Sequence, residues 1–444
     1  MNKFNIDQQR AIEHTGGPAL IIAGPGSGKT TVIIQRIARL TQKEHVLPRH
    51  ILAITFTKAA AEEMESRYVR ITEIKGEGNV KERVTFGTFH SVFLSVLKKY
   101  VKDFTSRLAS HNESLVILKH VVSEIYPDKA YTADYYSELL SSISKKKNST
   151  IGNCEDFSGS DQLKRIISEY DSLMHASALI DFDDMLLLML RLIKRDEQVL
   201  YELRNTFRYL ILDEFQDINK LQFEIIKLIG APNNNVFAVG DDDQSIYGFR
   251  GSDPSIMLSF KEYYNDAELI TLRTNYRSDE TIVNASLKLI AHNKNRYKKE
   301  LKAARSGGKG IDIRGFYSLE ECAHHIILDI KGHCGDKTYA VLFRTHRAGT
   351  KAAAIIAAND LFREGNISLM TFHASKGLEF DVVYIIEAMD KITPGINRCI
   401  TELEEERRMF YVAMTRAKEE LHIFYTKNFY NTFRKRSRFI NEID

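Results

Sequence analysis

No tryptophan occurs in this chain, so any large aromatic face it offers belongs to phenylalanine or tyrosine. Cysteine is nearly as scarce: Cys154, Cys322, Cys334 and Cys399 lie far apart, with no C-x-x-C pair. That disfavours a zinc ribbon or a disulfide framework and fits a reducing compartment. No apolar run reaches about 18 residues, so no membrane span is expected. The opening residues, MNKFNIDQQRAI, are polar and carry no signal-peptide pattern. A soluble, cytoplasmic protein is the expectation. An excess of one charge is also missing, since 62 Lys+Arg against 59 Asp+Glu leave a net +3. Any nucleic-acid contact must therefore come from local basic patches. No repeat of solenoid period is present. What remains is 444 residues with 43% hydrophobic and 27% charged side chains, an ordinary globular balance. It is enough chain for two to four domains.

Along the chain, short apolar runs alternate with helical patterns. Ala19 to Ile22 reads as a buried strand, followed by a Gly-rich turn and a helix from Lys29. Ile51 to Thr55 reads as a second strand, and Lys58 to Tyr68 as a second helix. Such alternation argues for a parallel α/β sheet. From Val92 to Leu200 strand signals vanish and helical spacing dominates, as in Leu115, Leu118, Val121, Val122 and Ile125. This stretch reads as a helical insertion. Within it, Lys145-Lys-Lys147 with the following Asn-Ser-Thr reads as an exposed basic loop. Strand patterns resume at Tyr209–Leu212 and Val236–Gly240. A second α/β region is expected to open at Leu269–Leu272, with later strands at 339–343, 367–370, 382–386 and 421–424.

Ala23-Gly-Pro-Gly-Ser-Gly-Lys-Thr-Thr31 follows a strand and opens a helix, the context of a phosphate-binding loop. Glycines let backbone N–H groups turn toward phosphate oxygens, and the helix N-terminus adds its positive end. Ala23, Gly24, Gly26, Ser27, Gly28, Lys29, Thr30 and Thr31 are the candidate nucleotide contacts. Lys29 would reach the β- and γ-phosphates, and Thr30 would hold Mg²⁺. Ala23 stands where the usual pattern has its first glycine. The run Tyr209–Leu212 ends in Asp213-Glu214. A carboxylate at a neighbouring strand end can complete the Mg²⁺ shell, and an adjacent glutamate can polarise the attacking water. Asp213 is thus the metal-side residue and Glu214 the candidate base of an NTP hydrolase.

Several further segments occur in a fixed order: Asp213-Glu-Phe-Gln-Asp217, Gly240-Asp-Asp-Asp-Gln-Ser-Ile-Tyr247, Asn275-Tyr-Arg-Ser278, Thr371-Phe-His-Ala-Ser-Lys-Gly-Leu-Glu-Phe380 and Tyr411-Val-Ala-Met-Thr-Arg-Ala417. Together they resemble the motif set of the UvrD/Rep/PcrA group of superfamily 1 DNA helicases. The resemblance runs from Phe4 to the segment 437–442. It implies two RecA-like domains with parallel sheets, formed by 1–91 with 191–268 and by 269–444, and a helical accessory insertion at 92–190. It implies ATP bound between the two, Gln8 at the adenine, Glu379 at the ribose, and Arg277 and Arg416 at the γ-phosphate. An arginine fork suits the charge spread over a transferring phosphoryl group.

The same resemblance implies single-stranded DNA and single/double-strand junctions as partners, movement 3′ to 5′, and a monomer or weak dimer. Stacking faces for bases are implied at Phe56, His90, Tyr247 and Phe249, with Arg250 beside them and Phe182 and Phe433 as further candidates. The family commonly has tryptophan where Phe249 stands. In Gly240-Asp-Asp-Asp-Gln-Ser-Ile-Tyr-Gly-Phe-Arg-Gly251 the three aspartates lack calcium-loop spacing. They are expected to cap the strand end and shape the loop, leaving Gln244 as the γ-phosphate sensor. Family members also carry a second large insertion. Here only Thr345 to Ile367 separates the strands that would flank it, room for one helix and a turn at Phe362–Asn366. An ATP-driven helicase is the leading reading. A translocase with little unwinding and a non-enzymatic DNA-binding scaffold are the alternatives.

Overall fold

Ala19–Ala23 (β1) is buried along its whole length in the computed structural model, as its unbroken apolar run requires. Ile51–Thr55 (β2) is likewise buried throughout, and Thr85–Thr88 (β3) is a shorter, partly exposed strand. The structure describes residues 4–443 except 73–82, 103, 130, 150–159, 334–335, 360–364, 397–399 and 430–431. Cys154, Cys334, Cys399 and the turn beginning at Phe362 lie outside the described residues. Cys322 is buried as a free thiol.

The helical region follows, with helices Phe89–Tyr100, His111–Ile125, Ala133–Ser149, Asp161–Ala176 and Phe182–Arg195. Leu118, Val121, Val122, Ile166, Ile167 and Tyr170 form a core of its own. One short parallel pair, Arg107–Leu108 (β4) with Leu179–Ile180 (β5), interrupts it, too short to leave a periodic signal. The basic loop expected at Lys145–Lys147 is instead the last turn of Ala133–Ser149. Helical periodicity turns Lys147 inward, where its ammonium lies 3.0, 2.6 and 2.8 Å from Asp171, Asp181 and Asp184. Burial opposes that charge, but the three carboxylates outweigh it and raise the Lys147 pKa.

Tyr209–Leu212 (β6), Val236–Gly240 (β7) and Glu268–Leu272 (β8) complete a six-stranded sheet in the order β3-β2-β6-β7-β1-β8. The pairs β2–β3, β2–β6 and β6–β7 are parallel. Helices Lys29–Gln42, Lys58–Thr72 and Lys220–Gly230 provide crossovers, as parallel neighbours require. β8 was expected to open the second α/β region, but it forms the edge of this first sheet. The Glu268 amide donates to Pro18 O at 3.0 Å. Its carboxylate meets Arg10 Nε and His14 Nδ1, each at 2.8 Å, so anchors ahead of β1 hold the strand there.

Thr274–Asp279 (β9) pairs in parallel with Lys302–Arg305 (β10). Ile311–Phe316 (β11), Tyr339–Phe343 (β12), Ile367–Thr371 (β13), Phe380–Ile385 (β14) and Ala417–Thr426 (β15) form a second sheet in the order β11-β15-β14-β12-β13. Every pair in it is parallel. Helices Glu280–Ile290 and Ile400–Met414 bury one face with Leu289, Phe410 and Met414. Leu319–Gly332 and His346–Ala357 cover the other with Ile326, Ile330 and Ile356. The α/β class with parallel sheets read from the sequence is the class observed.

Two compact units result. One holds Met1–Ile21, Thr30–Gly240 and Tyr247–Ile270; the other holds Ile22–Lys29, Asp241–Ile246 and Thr271–Asp444. Two short motif segments, Ile22–Lys29 and Asp241–Ile246, are therefore embedded in the second unit. Among the described residues, no helix is long and apolar enough to cross a membrane.

Candidate functional site

The Gly-rich turn leaves β1 at Ala23 and enters the helix at Lys29. Gly26 has φ +65°, a left-handed conformation that glycine adopts without steric cost. A Cβ at Gly26 would lie 2.5 Å from Arg277 Cβ, so the close approach also demands its absence. The Tyr276 amide donates to Gly26 O at 2.8 Å, which lays Asn275-Tyr-Arg277 along the turn. Ser27 is buried, and its hydroxyl donates to Gly24 O at 2.7 Å, closing the loop on itself. Gly28 also has positive φ, +84°. Lys29, Thr30 and Thr31 open the helix half-buried, with no acidic side chain in the first turn. A helix start without local negative charge, preceded by a glycine-rich turn, suits a phosphate group.

Four further predicted residues meet this loop's unit. Arg277 Nε donates to Glu379 Oε2 at 2.8 Å, and Lys418 Nζ lies 3.2 Å from Glu379 Oε1. Burial resists ionisation of Glu379, but the Arg277 and Lys418 charges outweigh it and hold its pKa below the ordinary value. Arg416 is buried at 2% exposure, which identifies it as an oriented group rather than a surface cation. Its guanidinium donates to Val412 O at 2.9 Å, Leu378 O at 3.1 Å and Gln244 Oε1 at 3.2 Å. Gln244 and Arg416, 172 residues apart in sequence, are thus in direct contact.

The acidic strand end belongs to the first unit. The Asp213 amide donates to Ile54 O at 2.9 Å, and the residue is buried at the end of β6. Glu214 adopts φ +50°, a strained backbone for a non-glycine residue, and Gln216 Nε2 donates to its carboxylate. The Thr30 hydroxyl and the Asp213 carboxylate are both hard oxygen donors, a set that fits Mg²⁺. Gln8 is buried in a capping box: its amide donates to Asn5 Oδ1 at 2.8 Å, and its Oε1 accepts from Asn5 N at 3.3 Å.

The three aspartates after β7 are more than a cap. Lys299 Nζ lies among them, 2.6 Å from Asp242 Oδ1, 2.8 Å from Asp243 Oδ2, and paired with Asp241 Oδ1. Arg296 grips Asp243 through Nε at 2.8 Å and Nη2 at 2.6 Å. Three carboxylates face two cations, and burial pushes the Asp242 pKa up to about 6. Asp243 goes the other way: burial is outweighed by Lys299 and Arg296, which hold its pKa down. The capping role expected for Asp241 is present as well, since its Oδ1 accepts from Asp243 N at 3.2 Å.

The aromatic candidates of the first unit fall into two groups. Phe56 and Tyr247 lie parallel with centroids 6.3 Å apart, and Tyr247 and Phe249 are 6.0 Å apart and tilted. Phe249 is 45% exposed. Ser141 Oγ, on the helix Ala133–Ser149, donates to Phe249 O at 3.0 Å and supports the turn. His90 and Phe182 form the second group, edge-to-face at 4.3 Å. Burial pushes the His90 pKa down to about 4, so the imidazole is neutral at pH 7. Arg250 lies in the turn Gly248–Arg250, its side chain outside the description. Phe433 stands 77% exposed on a two-residue strand of the second unit.

Sequence reasoning missed Lys299, Arg296 and Lys376, whose Nζ donates to Gln244 O at 2.9 Å. The basic run Asn293-Lys-Asn-Arg-Tyr-Lys-Lys299 is the signal that would have found the first two.

Comparison with known proteins agrees with this layout. The family model described as UvrD/REP helicase N-terminal domain matches residues 4–265, and that described as UvrD-like helicase C-terminal domain matches 270–362 and 351–428. The ATP-dependent DNA helicase PcrA of Staphylococcus epidermidis strain ATCC 35984 is 33% identical over 360 residues. That of Staphylococcus aureus strain Mu50 is 33% identical over 359 residues. Each alignment covers 78% of this chain and 48% of the relative, so the chain spans about half the length of the curated relatives it matches. With both family models matched in order, and the phosphate loop, acidic strand end, Arg277 and Arg416 placed as described, the chain belongs to the UvrD/REP helicase family.

Proposed function

We propose that this chain is a single-stranded-DNA-stimulated ATPase that translocates 3′ to 5′ and separates strands at single/double-strand junctions. The observation that carries the reading is the six-residue segment Asp241–Ile246. It holds Gln244 against Arg416 and is followed directly by Tyr247 of the aromatic row. A group that senses the γ-phosphate is thereby three residues from a face on which a base can stack.

The residues divide the work by their chemistry. The loop Gly24–Gly28 and Lys29 bind the phosphates through backbone N–H groups and an ammonium. Mg²⁺, when bound, neutralises phosphate charge, and Thr30 and Asp213 are the residues to hold it. Glu214 orients and deprotonates the attacking water. Arg277 and Arg416 offset charge on the transferring phosphoryl group, with Gln244 hydrogen-bonded to the second. Gln8 and Glu379 contact the base and ribose. Phe56, Tyr247 and Phe249 stack on bases, with His90 and Phe182 bordering the same strand. The domain limits read from the sequence, with a helical accessory domain at 92–190, belong to this proposal.

Phenylalanine offers a smaller stacking face than the tryptophan common in the family. Phe249→Ala is expected to weaken oligo-dT binding by roughly 1–3 kcal/mol. Phe249→Trp is expected to strengthen it. Fluorescence anisotropy with labelled oligo-dT measures both, and unchanged affinity in both variants removes Phe249 from the DNA track.

The short connection Thr345–Ile367, occupied by the helix His346–Ala357, favours a second reading in which the accessory domain usual at that point is lacking. Translocation is then retained while unwinding is weak or unrestrained. Phosphate release with and without oligo-dT, run beside strand displacement on 3′-tailed, 5′-tailed and blunt duplexes, separates these readings. Stimulated turnover with displacement of the 3′-tailed duplex alone supports the first. Stimulated turnover without displacement supports the second. No turnover with oligo-dT present sinks both.

A further inference from the structure

The segment from His292 to Leu301 joins the helix Glu280–Ile290 to β10 and belongs to no motif read from the sequence. It nevertheless places a fully buried lysine in the middle of three buried aspartates. Lys299 and Asp241 both have side chains at 0% exposure, so the pair is sealed from solvent. The two oxygens of Asp241 are divided. Oδ1 pairs with Lys299 Nζ, and Oδ2 accepts from Gln244 Nε2 at 2.7 Å. The far end of the same carboxamide, Gln244 Oε1, accepts from Arg416 Nη2 at 3.2 Å.

An ionised carboxylate can only accept hydrogen bonds. While Asp241 is ionised, the Gln244 NH₂ must face it, and the carbonyl end must face Arg416. We propose that Lys299 is a positioning residue for Gln244, acting through Asp241 to fix which end of the carboxamide meets Arg416. This rests on the ATPase reading above and deepens it. Without the ammonium, three carboxylates share a buried site with Arg296, which grips Asp243. Asp241 Oδ1 then loses its cationic partner, and the carboxylate is no longer held in place. An unheld Asp241 carboxylate can swing away from Gln244 Nε2, which lets the carboxamide turn over and present NH₂ to Arg416, two donors facing each other. Asp242 provides an internal contrast. Its side chain pairs with Lys299 and accepts from Tyr297 N at 2.8 Å, whereas the Gln244 carboxamide donates to Asp241.

The test is a double-mutant cycle on DNA-stimulated ATP hydrolysis. Lys299→Met is expected to lower kcat roughly 10- to 100-fold, with the KM for ATP changed less than about threefold. In a Gln244→Ala background the same substitution is expected to cost less than about threefold, because the group it positions is gone. Equal losses in the two backgrounds overturn the proposal, and so does an effect on KM alone. Should Lys299→Met fail to fold, Asp241→Asn and Asp242→Asn run the same cycle. Each removes one charge beside Lys299, and only the first touches Gln244. A kcat loss confined to Asp241→Asn, and absent when Gln244 is alanine, upholds the proposal; equal losses overturn it. Wild-type protein without turnover sinks the ATPase reading itself, whereas wild-type turnover with additive losses sinks only the positioning role.

Discussion

Lys29→Ala is expected to reduce DNA-stimulated ATP hydrolysis by roughly 10³-fold while leaving oligo-dT affinity largely intact. Lys29 is the first residue of the helix that follows the Gly-rich turn. An ammonium at that point adds a full charge to the partial positive end of the helix and to inward backbone N–H groups. Methionine or alanine there removes the only formal charge of the loop Ala23–Thr31. The stacking faces assigned to DNA are Phe56, Tyr247 and Phe249, whose mutual packing does not involve the loop. Phosphate release at saturating oligo-dT and anisotropy on the same preparations measure the two effects. Turnover within tenfold of wild type would remove Lys29, and the loop with it, from the proposed ATP site.

Arg277→Ala is expected to lower kcat by about 10³-fold or more, the range seen when an arginine finger is lost. Arg277→Lys is expected to recover little of it. The Arg277 Nε donates to Glu379 at 2.8 Å, and its backbone N–H is held by Asn275 Oδ1 at 2.8 Å. Its position is thus set at both ends, while its Cβ lies beside Gly26. A lysine has one compact donor group and cannot both hold Glu379 and reach a phosphoryl oxygen with a second N–H in a fixed plane. The measurement is kcat and KM for ATP with oligo-dT in excess. Full rescue by lysine would show that bare charge suffices and would remove the planar-fork argument.

Much of the fold was legible because it depends on local pattern. β1, β2 and β7 are unbroken apolar runs, and a strand buried on both faces needs nothing else to announce itself. The Gly-rich turn was legible for a related reason: strand, turn and helix follow one another in sequence. Short or half-exposed strands escaped. β9 carries the Asn275-Tyr-Arg277 motif yet alternates irregularly in burial, and β10 is mostly exposed. The side of the chain on which β8 pairs also escaped, because an edge strand's partner is chosen by which ladder is open and by distant anchors such as Arg10 and His14.

Lys147 and Lys299 show the same limit at side-chain level. In sequence each lies in a basic run, and a basic run ordinarily marks a solvated face. In the structure each is buried among three aspartates supplied by other segments. Burial of a lysine is tolerated only where opposite charges converge on it, and convergence is a property of the fold.

The amino-acid sequence by itself determined the α/β class, the phosphate-loop turn, the acidic strand end and the order of the motifs. All of these are set by residues within a few positions of one another. Only the tertiary structure decided that Gln244 meets Arg416 across 172 residues, that Arg277 lies along the Gly26 turn, and that the aspartates after β7 enclose Lys299. The physical reason is that hydrogen bonds and ion pairs act over about 3 Å, and which distant groups come that close is fixed by how sheets and helices pack.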